Sequence, residues 1–217
     1  LLLGAIKSIS KHKMSMSVNS NLMIVTKEKL SELRSLGLDH ILTSLPSPDP
    51  KLNDFIMNQK GSLDKIISGI KMAREADIRV SVNMVITRQT KDQVFDAGKL
   101  VSDLDCQKLF VTRSVPPTYS DTSQDDNYSL TEFEQKKCLD DAIKVKNEFN
   151  IAIGTLVSYP LCFLEDLEKY SDFVGRGCPA QAGHRMSINA NGNVHACVHE
   201  EELSLIHISE PTRLWHI

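Results

Sequence analysis

The chain has 217 residues, a hydrophobic share of 41% and a formal net charge of −3. That is enough apolar material for one packed domain of fair size and a small appendage. The slight acidity and the lack of any basic run argue against nucleic acid as a partner. No apolar stretch is long enough to span a bilayer, so the chain reads as soluble, without a membrane partner.

The first residues are apolar but carry no basic region before them and no initiator methionine, unlike a secretory signal. The chain is expected to be the interior of a longer protein. Residues 14–18 and 39–45 read as strands. Between them Thr26 can cap a helix in which Leu30, Leu33 and Leu36 share a face, and Gly37 ends it. The prolines at 46, 48 and 50 then forbid a helix interior.

Ser62 is expected to cap a longer helix. Leu63, Ile66, Ile67 and Ile70 fall at i, i+3, i+4 and i+7, one buried stripe. Residues 78–86 are rich in β-branched side chains and read as a strand. Thr90 with Gln93 has the spacing of a capping box for a helix carrying Val94, Ala97, Val101 and Leu104. A strand follows at 108–112, then a polar loop over 114–128 that is long for a compact domain. Ser129 with Glu132 suggests a second capping box, opening a helix to Phe149. A fifth strand is expected at 151–155, and 159–170 reads as irregular or a short helix.

This alternation indicates βαβ units and a parallel sheet. Ligands of parallel α/β folds bind at the carboxyl ends of the strands. The positions there are Asn19, Ser20, Ser44, Asn83, Thr87, Arg88 and Arg113. A buried amide such as Asn83 needs partners, which either a ligand or a neighbouring loop supplies. Arg113 suits a carboxylate or peptide, or equally a surface ion pair.

Five cysteines, Cys106, Cys138, Cys162, Cys178 and Cys197, are odd in number and scattered. That is no secreted disulfide framework, and a reducing cytoplasm is the expected location. Cys138 within a helix and Cys106 before a strand read as ordinary buried thiols. Cys178 and Cys197 bracket Asn191-Gly192 in the pattern Cys-x13-Gly-x4-Cys. Asn-Gly predicts a two-residue type I′ hairpin with positive φ at both positions. Such a hairpin brings two thiols together for iron–sulfur or zinc, with His195 and His199 beside them.

In order and spacing these segments resemble the radical S-adenosylmethionine enzymes that carry a SPASM domain. Residues 17–22 are similar to the family's third strand, with Val18-Asn19-Ser20 where Thr-Asn-Gly is usual. Residues 36–45 resemble the fourth strand, 61–70 the next helix, 80–88 the fifth strand, and Cys178 to Cys197 the opening of the SPASM motif. The resemblance implies an α/β fold, an incomplete (β/α)6 partial TIM-type barrel over 1–173, followed by the start of an auxiliary-cluster domain, a β-hairpin, over 174–202. It implies [4Fe–4S] clusters and S-adenosylmethionine as cofactors, with Asn19, Ser44 and Asn83 near the latter and Cys178 and Cys197 as auxiliary-cluster ligands. It further implies a peptide or protein substrate and a flavodoxin or ferredoxin as reductant.

Two departures stand out. The family's Cys-x3-Cys-x2-Cys loop is absent, as is its Gly-Gly-Glu-Pro segment. The chain is therefore expected to be an inactive fragment. Residues 203–213 resemble a translated sequencing adapter, so 203–217 is expected to be a non-native tail in which His207, Trp215 and His216 carry no meaning. Two other readings stay open: a parallel α/β enzyme with a zinc hairpin, and a non-catalytic degenerate barrel that binds peptides.

Overall fold

Every segment with strand character is followed by one with a helical stripe, and the backbone keeps that rhythm. A computed structural model describes residues 2–115, 128–174, 186–189 and 191–195. The first part runs α1 (Leu2–Lys11), β1 (Ser17–Asn19), α2 (Lys27–Ser35), β2 (His40–Ser44), α3 (Pro50–Met57), α4 (Ser62–Glu75) and β3 (Arg79–Ile86). It continues with α5 (Val94–Asp103), β4 (Lys108–Arg113), α6 (Glu132–Phe149), β5 (Ala152–Gly154) and α7 (Leu161–Leu164). A short hairpin, β6 (Ser187–Ile188) and β7 (Val194–His195), completes the described chain.

The first five strands form one sheet in the order β1-β2-β3-β4-β5. All its neighbours are parallel, with Ser17 level with His40, Ser44 with Asn83, Ser81 with Lys108, and Phe110 with Gly154. Side chains alternate across a strand, so this register assigns each residue to a face. Ile41, Val80, Val82, Met84, Ile86, Leu109 and Val111 take one face and are buried. They meet Leu30, Ile66, Ile70, Ala73, Val101, Leu139 and Val145 in one core, with α4, α5 and α6 packed against the sheet. Fully burying an isoleucine such as Ile66 or Ile70 contributes about 2–3 kcal/mol each. The other face is polar: Ser17, Asn19, His40, Ser44, Ser81, Asn83, Lys108 and Thr112 lie on it beside Leu42 and Phe110.

Thr26 caps α2 as expected, its hydroxyl accepting from the Lys29 amide at 3.3 Å. Three local expectations are corrected, and one helix the sequence reading did not assign is added. Ser62 does not cap α4. Gly61 takes that position with φ 69°, and the Asp54 carboxylate accepts from the amides of Gly61 and Ser62. The segment before it holds a helix the prolines hid: Asp49 caps α3 and Pro50 occupies its first turn, where no N–H is needed. Thr90 and Gln93 form no capping box; the Thr90 hydroxyl closes the turn after β3 by donating to the Val85 carbonyl. The capping box of α6 is Thr131 with Glu134, two residues beyond the predicted pair.

The hairpin is antiparallel, with Ser187 opposite His195. Among its described turn residues only Gly192 takes a positive φ, 85°. Its amide donates to the Asn189 carbonyl, and the Asn189 amide donates to the Asn193 carbonyl, both at 3.0 Å. This is the longer loop in which glycine follows a turn and forms a bulge, and not the predicted two-residue type I′ connection. The Asn189 side chain stabilises it by accepting from the amides of Asn191 and Asn193.

Candidate functional site

The carboxyl ends of the strands bring the three predicted contact residues onto one face. Ser44 and Asn83 are direct neighbours across β2 and β3, and Asn19 lies level with Leu42, one side-chain layer deeper. Asn19 and Ser44 are exposed and Asn83 is half-buried. The Thr112 hydroxyl donates to Asn83 Oδ1 at 2.6 Å and accepts from the Leu156 amide at 3.3 Å. The Asn83 carbonyl is thereby engaged and its NH₂ group is turned to the polar face with two donors to offer.

The loops above these residues are held by side chains that the sequence reading passed over. After β1, Leu22 adopts φ 56° and is buried. It lies so close to Gly69 of α4 that a Cβ there would overlap the Leu22 carbonyl. A glycine inside a helix, ordinarily unfavourable, is what lets this loop approach. After β2, Ser47 is fully buried; its amide donates to Asn53 Oδ1 and its hydroxyl donates to Gln93 Oε1. Asn53, also fully buried, donates to the Ser62 hydroxyl at 2.7 Å. This chain of hydrogen bonds fixes the turn behind Ser44 against α3 and α4. Asn53 sits one turn into a segment headed by two prolines, and only that buried amide could have drawn attention to it.

The other watched positions do not join the site. Arg113 shares the helix-side face with Leu109 and Val111; its guanidinium donates to the Ser158 carbonyl and lies over the Tyr159 ring. Arg88 reaches the Ser129 carbonyl. Thr87 and Ser20 shape their own turns: the Thr87 amide donates to the Thr90 hydroxyl, and the Ser20 hydroxyl accepts from the Leu22 amide.

Cys106 and Cys138 are core residues, and burial pushes each thiol up to about 12, as their structural reading requires. Cys162 is exposed. Cys178 and Cys197 lie outside the described residues, as do His199 and residues 203–217. Among the described residues no three of His, Cys, Asp or Glu come together as a metal site. No described helix is long and apolar enough to cross a membrane.

A parallel sheet in sequential strand order, helices on one face and polar side chains on the other, is one arc of a (β/α) barrel. Residues 2–101 match the profile of the Radical SAM superfamily. It is 31% identical over 105 residues to the PqqA peptide cyclase of Bradyrhizobium diazoefficiens, covering 46% of this chain and 28% of that protein. It is 23% identical over 196 residues to the GTP 3',8-cyclase of Aquifex aeolicus, covering 82% of this chain and 55% of that one. The chain thus spans about half or less of the length of the curated relatives it matches.

Among solved structures, SuiB of Streptococcus suis has the same fold, with a TM-score of 0.71 at 16% identity over 90% of this chain and 46% of SuiB. A second is anSMEcpe with bound AdoMet, at a TM-score of 0.58 and 14% identity over 70% of this chain and 43% of that one.

Proposed function

We propose that the chain is part of a radical S-adenosylmethionine enzyme with a SPASM domain that modifies a peptide or protein side chain. What carries this reading is the superfamily match over residues 2–101, combined with Asn19, Ser44 and Asn83 on one face at the strands' carboxyl ends. The substrate class is supported by the relatives: one is a peptide cyclase, and SuiB was crystallised bound to its precursor peptide SuiA.

Asn19, Ser44 and Asn83 are the residues that would hold S-adenosylmethionine. Their neutral amides and hydroxyl suit ribose hydroxyls and a zwitterionic amino-acid group, and the uncommitted NH₂ of Asn83 fits such a partner. Bound at a reduced [4Fe–4S] cluster, this cofactor supplies hydrogen-atom abstraction. Cys178 and Cys197 would ligate an auxiliary cluster, and a flavodoxin or ferredoxin would deliver the electron. A catalytic cluster needs thiolates that the described residues do not bring together. The chain has no Cys-x3-Cys-x2-Cys, and no described trio of ligands replaces one. By itself, then, the chain is expected to leave S-adenosylmethionine intact.

A zinc-hairpin reading rests on His195. Its Nε2 meets the Asn189 amide at 3.1 Å, while its Nδ1 is enclosed without a hydrogen-bond partner among the described residues. Anaerobic reconstitution with iron and sulfide, followed by metal analysis, separates the two. Iron with acid-labile sulfide, lost in Cys178→Ser, supports the auxiliary cluster. Stoichiometric zinc held against iron supports the alternative. Reductive cleavage of S-adenosylmethionine by the chain alone would overturn the assignment of inactivity. A reading frame recovered around this sequence without Cys-x3-Cys-x2-Cys would overturn the radical reading and leave a peptide-binding barrel.

A further inference from the structure

The helix that follows Ser44 is built inside out. The only buried residue of α3 is Asn53. Its side-chain carbonyl accepts from the Ser47 amide and its NH₂ donates to the Ser62 hydroxyl. Beside it, Asp54 accepts from the amides of Gly61 and Ser62. The apolar side chains of the helix, Leu52, Phe55, Ile56 and Met57, belong neither to the core nor to the side chains packed against it. Phe55 is 70% exposed and Ile56 39%. An ordinary surface helix does the reverse and turns its apolar stripe to the core.

Residues four apart are neighbours on a helix, so Lys51 stands beside Phe55 and Leu52 beside Ile56. These four share the side away from Asn53. The polar anchoring keeps them there. Turning α3 to hide Phe55 and Ile56 would break the bonds of Asn53 and Asp54 and leave buried polar groups unpaired. Adjoining exposed apolar side chains of this kind mark an interaction surface.

Charge selects the partner. Lys51 is exposed and has no carboxylate within ion-pair distance among the described residues. Lys60, just beyond the helix, is exposed too. The acids of the same segment are turned to helix ends: Asp49 accepts from the Leu52 amide, and Asp54 from the two amides that open α4. Asp64 and Lys65, both exposed in the first turn of α4, offset each other. Apolar contact beside an unmatched cation complements an acidic residue next to apolar ones. A folded partner would need about 800 Å² of this surface, more than one eight-residue helix presents. A membrane is the poorer match as well, because stable anchoring takes more apolar area and more charge than this short helix supplies.

We propose that the outward face of α3 docks a peptide segment in which an acidic residue stands beside bulky apolar ones. For the identity of that peptide the inference rests on the peptide-substrate reading. Asn53 ties α3 to the turn behind Ser44, so a segment held on the helix lies next to the strand ends that carry Ser44 and Asn83.

Two fluorescein-labelled synthetic peptides are titrated with the intact chain and followed by anisotropy. One alternates Glu with Leu and Phe; the other has Lys in place of every Glu. Saturable binding of the acidic peptide alone is expected. The double variant Phe55→Ser/Ile56→Ser should weaken it about tenfold, as truncated anchors do. Lys51→Glu, at a fully solvated position, should shift the preference toward the lysine peptide and gives an independent reading if the double variant fails to fold. Phe133→Ser, on α6, removes another exposed phenylalanine and should change nothing. Absence of saturation, equal binding of the two peptides, an equal loss in Phe133→Ser, or binding to phosphatidylserine vesicles in place of the peptide would overturn the surface. No cofactor takes part, so failure here leaves the radical reading to the iron and sulfide analysis, and failure there leaves this binding measurable.

Discussion

The Thr112 hydroxyl and the Asn83 side-chain carbonyl are joined by a 2.6 Å hydrogen bond across β3 and β4. The same hydroxyl accepts from the Leu156 amide beyond β5, so one threonine ties three strand ends together. Thr112→Val keeps the shape and removes both bonds. It should destabilise the fold by about 1–3 kcal/mol, the cost of leaving a partly buried amide and carbonyl unpaired. Urea unfolding followed by circular dichroism measures this, and a midpoint equal to wild type would show the network to be dispensable.

Gly98 on α5 faces Val145 on α6, and a Cβ there would overlap the valine side chain. Gly98→Ala should therefore lower stability by about 1–3 kcal/mol despite alanine's better helix propensity. The double variant Gly98→Ala/Val145→Ala should recover part of that loss. The coupling energy of the cycle reads the contact directly. Additive single effects would mean that the helices simply separate.

Acid sensitivity should centre on Glu134. Its contact with Lys91, then the Thr131 amide and hydroxyl, bring its carboxyl from the ordinary 4.5 down to about 2. The folded value is the depressed one. Its contribution is therefore complete above pH 4.5 and disappears as pH falls toward 2. Glu134→Gln should flatten the melting temperature across that window relative to wild type. Parallel curves for the two proteins would place the acid transition elsewhere.

Thiol chemistry should separate the described cysteines. Cys162 is exposed, whereas burial holds the thiols of Cys106 and Cys138 at about 12. The thiolate is the reactive form. Iodoacetamide at pH 8, mapped by mass spectrometry, should modify Cys162 in the native protein and reach Cys106 and Cys138 only after denaturation. Equal labelling of all three would contradict the burial.

Most of the layered fold could be read from the sequence because each strand declares itself by β-branched runs and each helix by its stripe. The strand pattern also contained the site's face. In β3, Ser81 and Asn83 alternate with Val80, Val82 and Met84, which puts both on the side away from the helices. Local punctuation was less legible. Several residues near a helix start compete for one cap, and tertiary contacts decide between them. Asp54 displaced Ser62 as the partner of the α4 amides, and Lys91 helps anchor Glu134 in the capping box of α6. The face on which Arg113 falls was not legible, because it depends on strand register, which a charged side chain at a strand end does not reveal.

The sequential order of the five strands has a kinetic meaning. Each strand pairs with the one formed just before and just after it, so no pairing must wait for a distant part of the chain. Loop-closure entropy is met in modest instalments, each βαβ step supplying the template for the next. Such a sheet can assemble as a growing front, and its two outermost strands, β1 and β5, each paired through three residues, are where the front begins and ends. Hydrogen exchange should accordingly be slowest in β3, the strand with neighbours along most of its length on both sides.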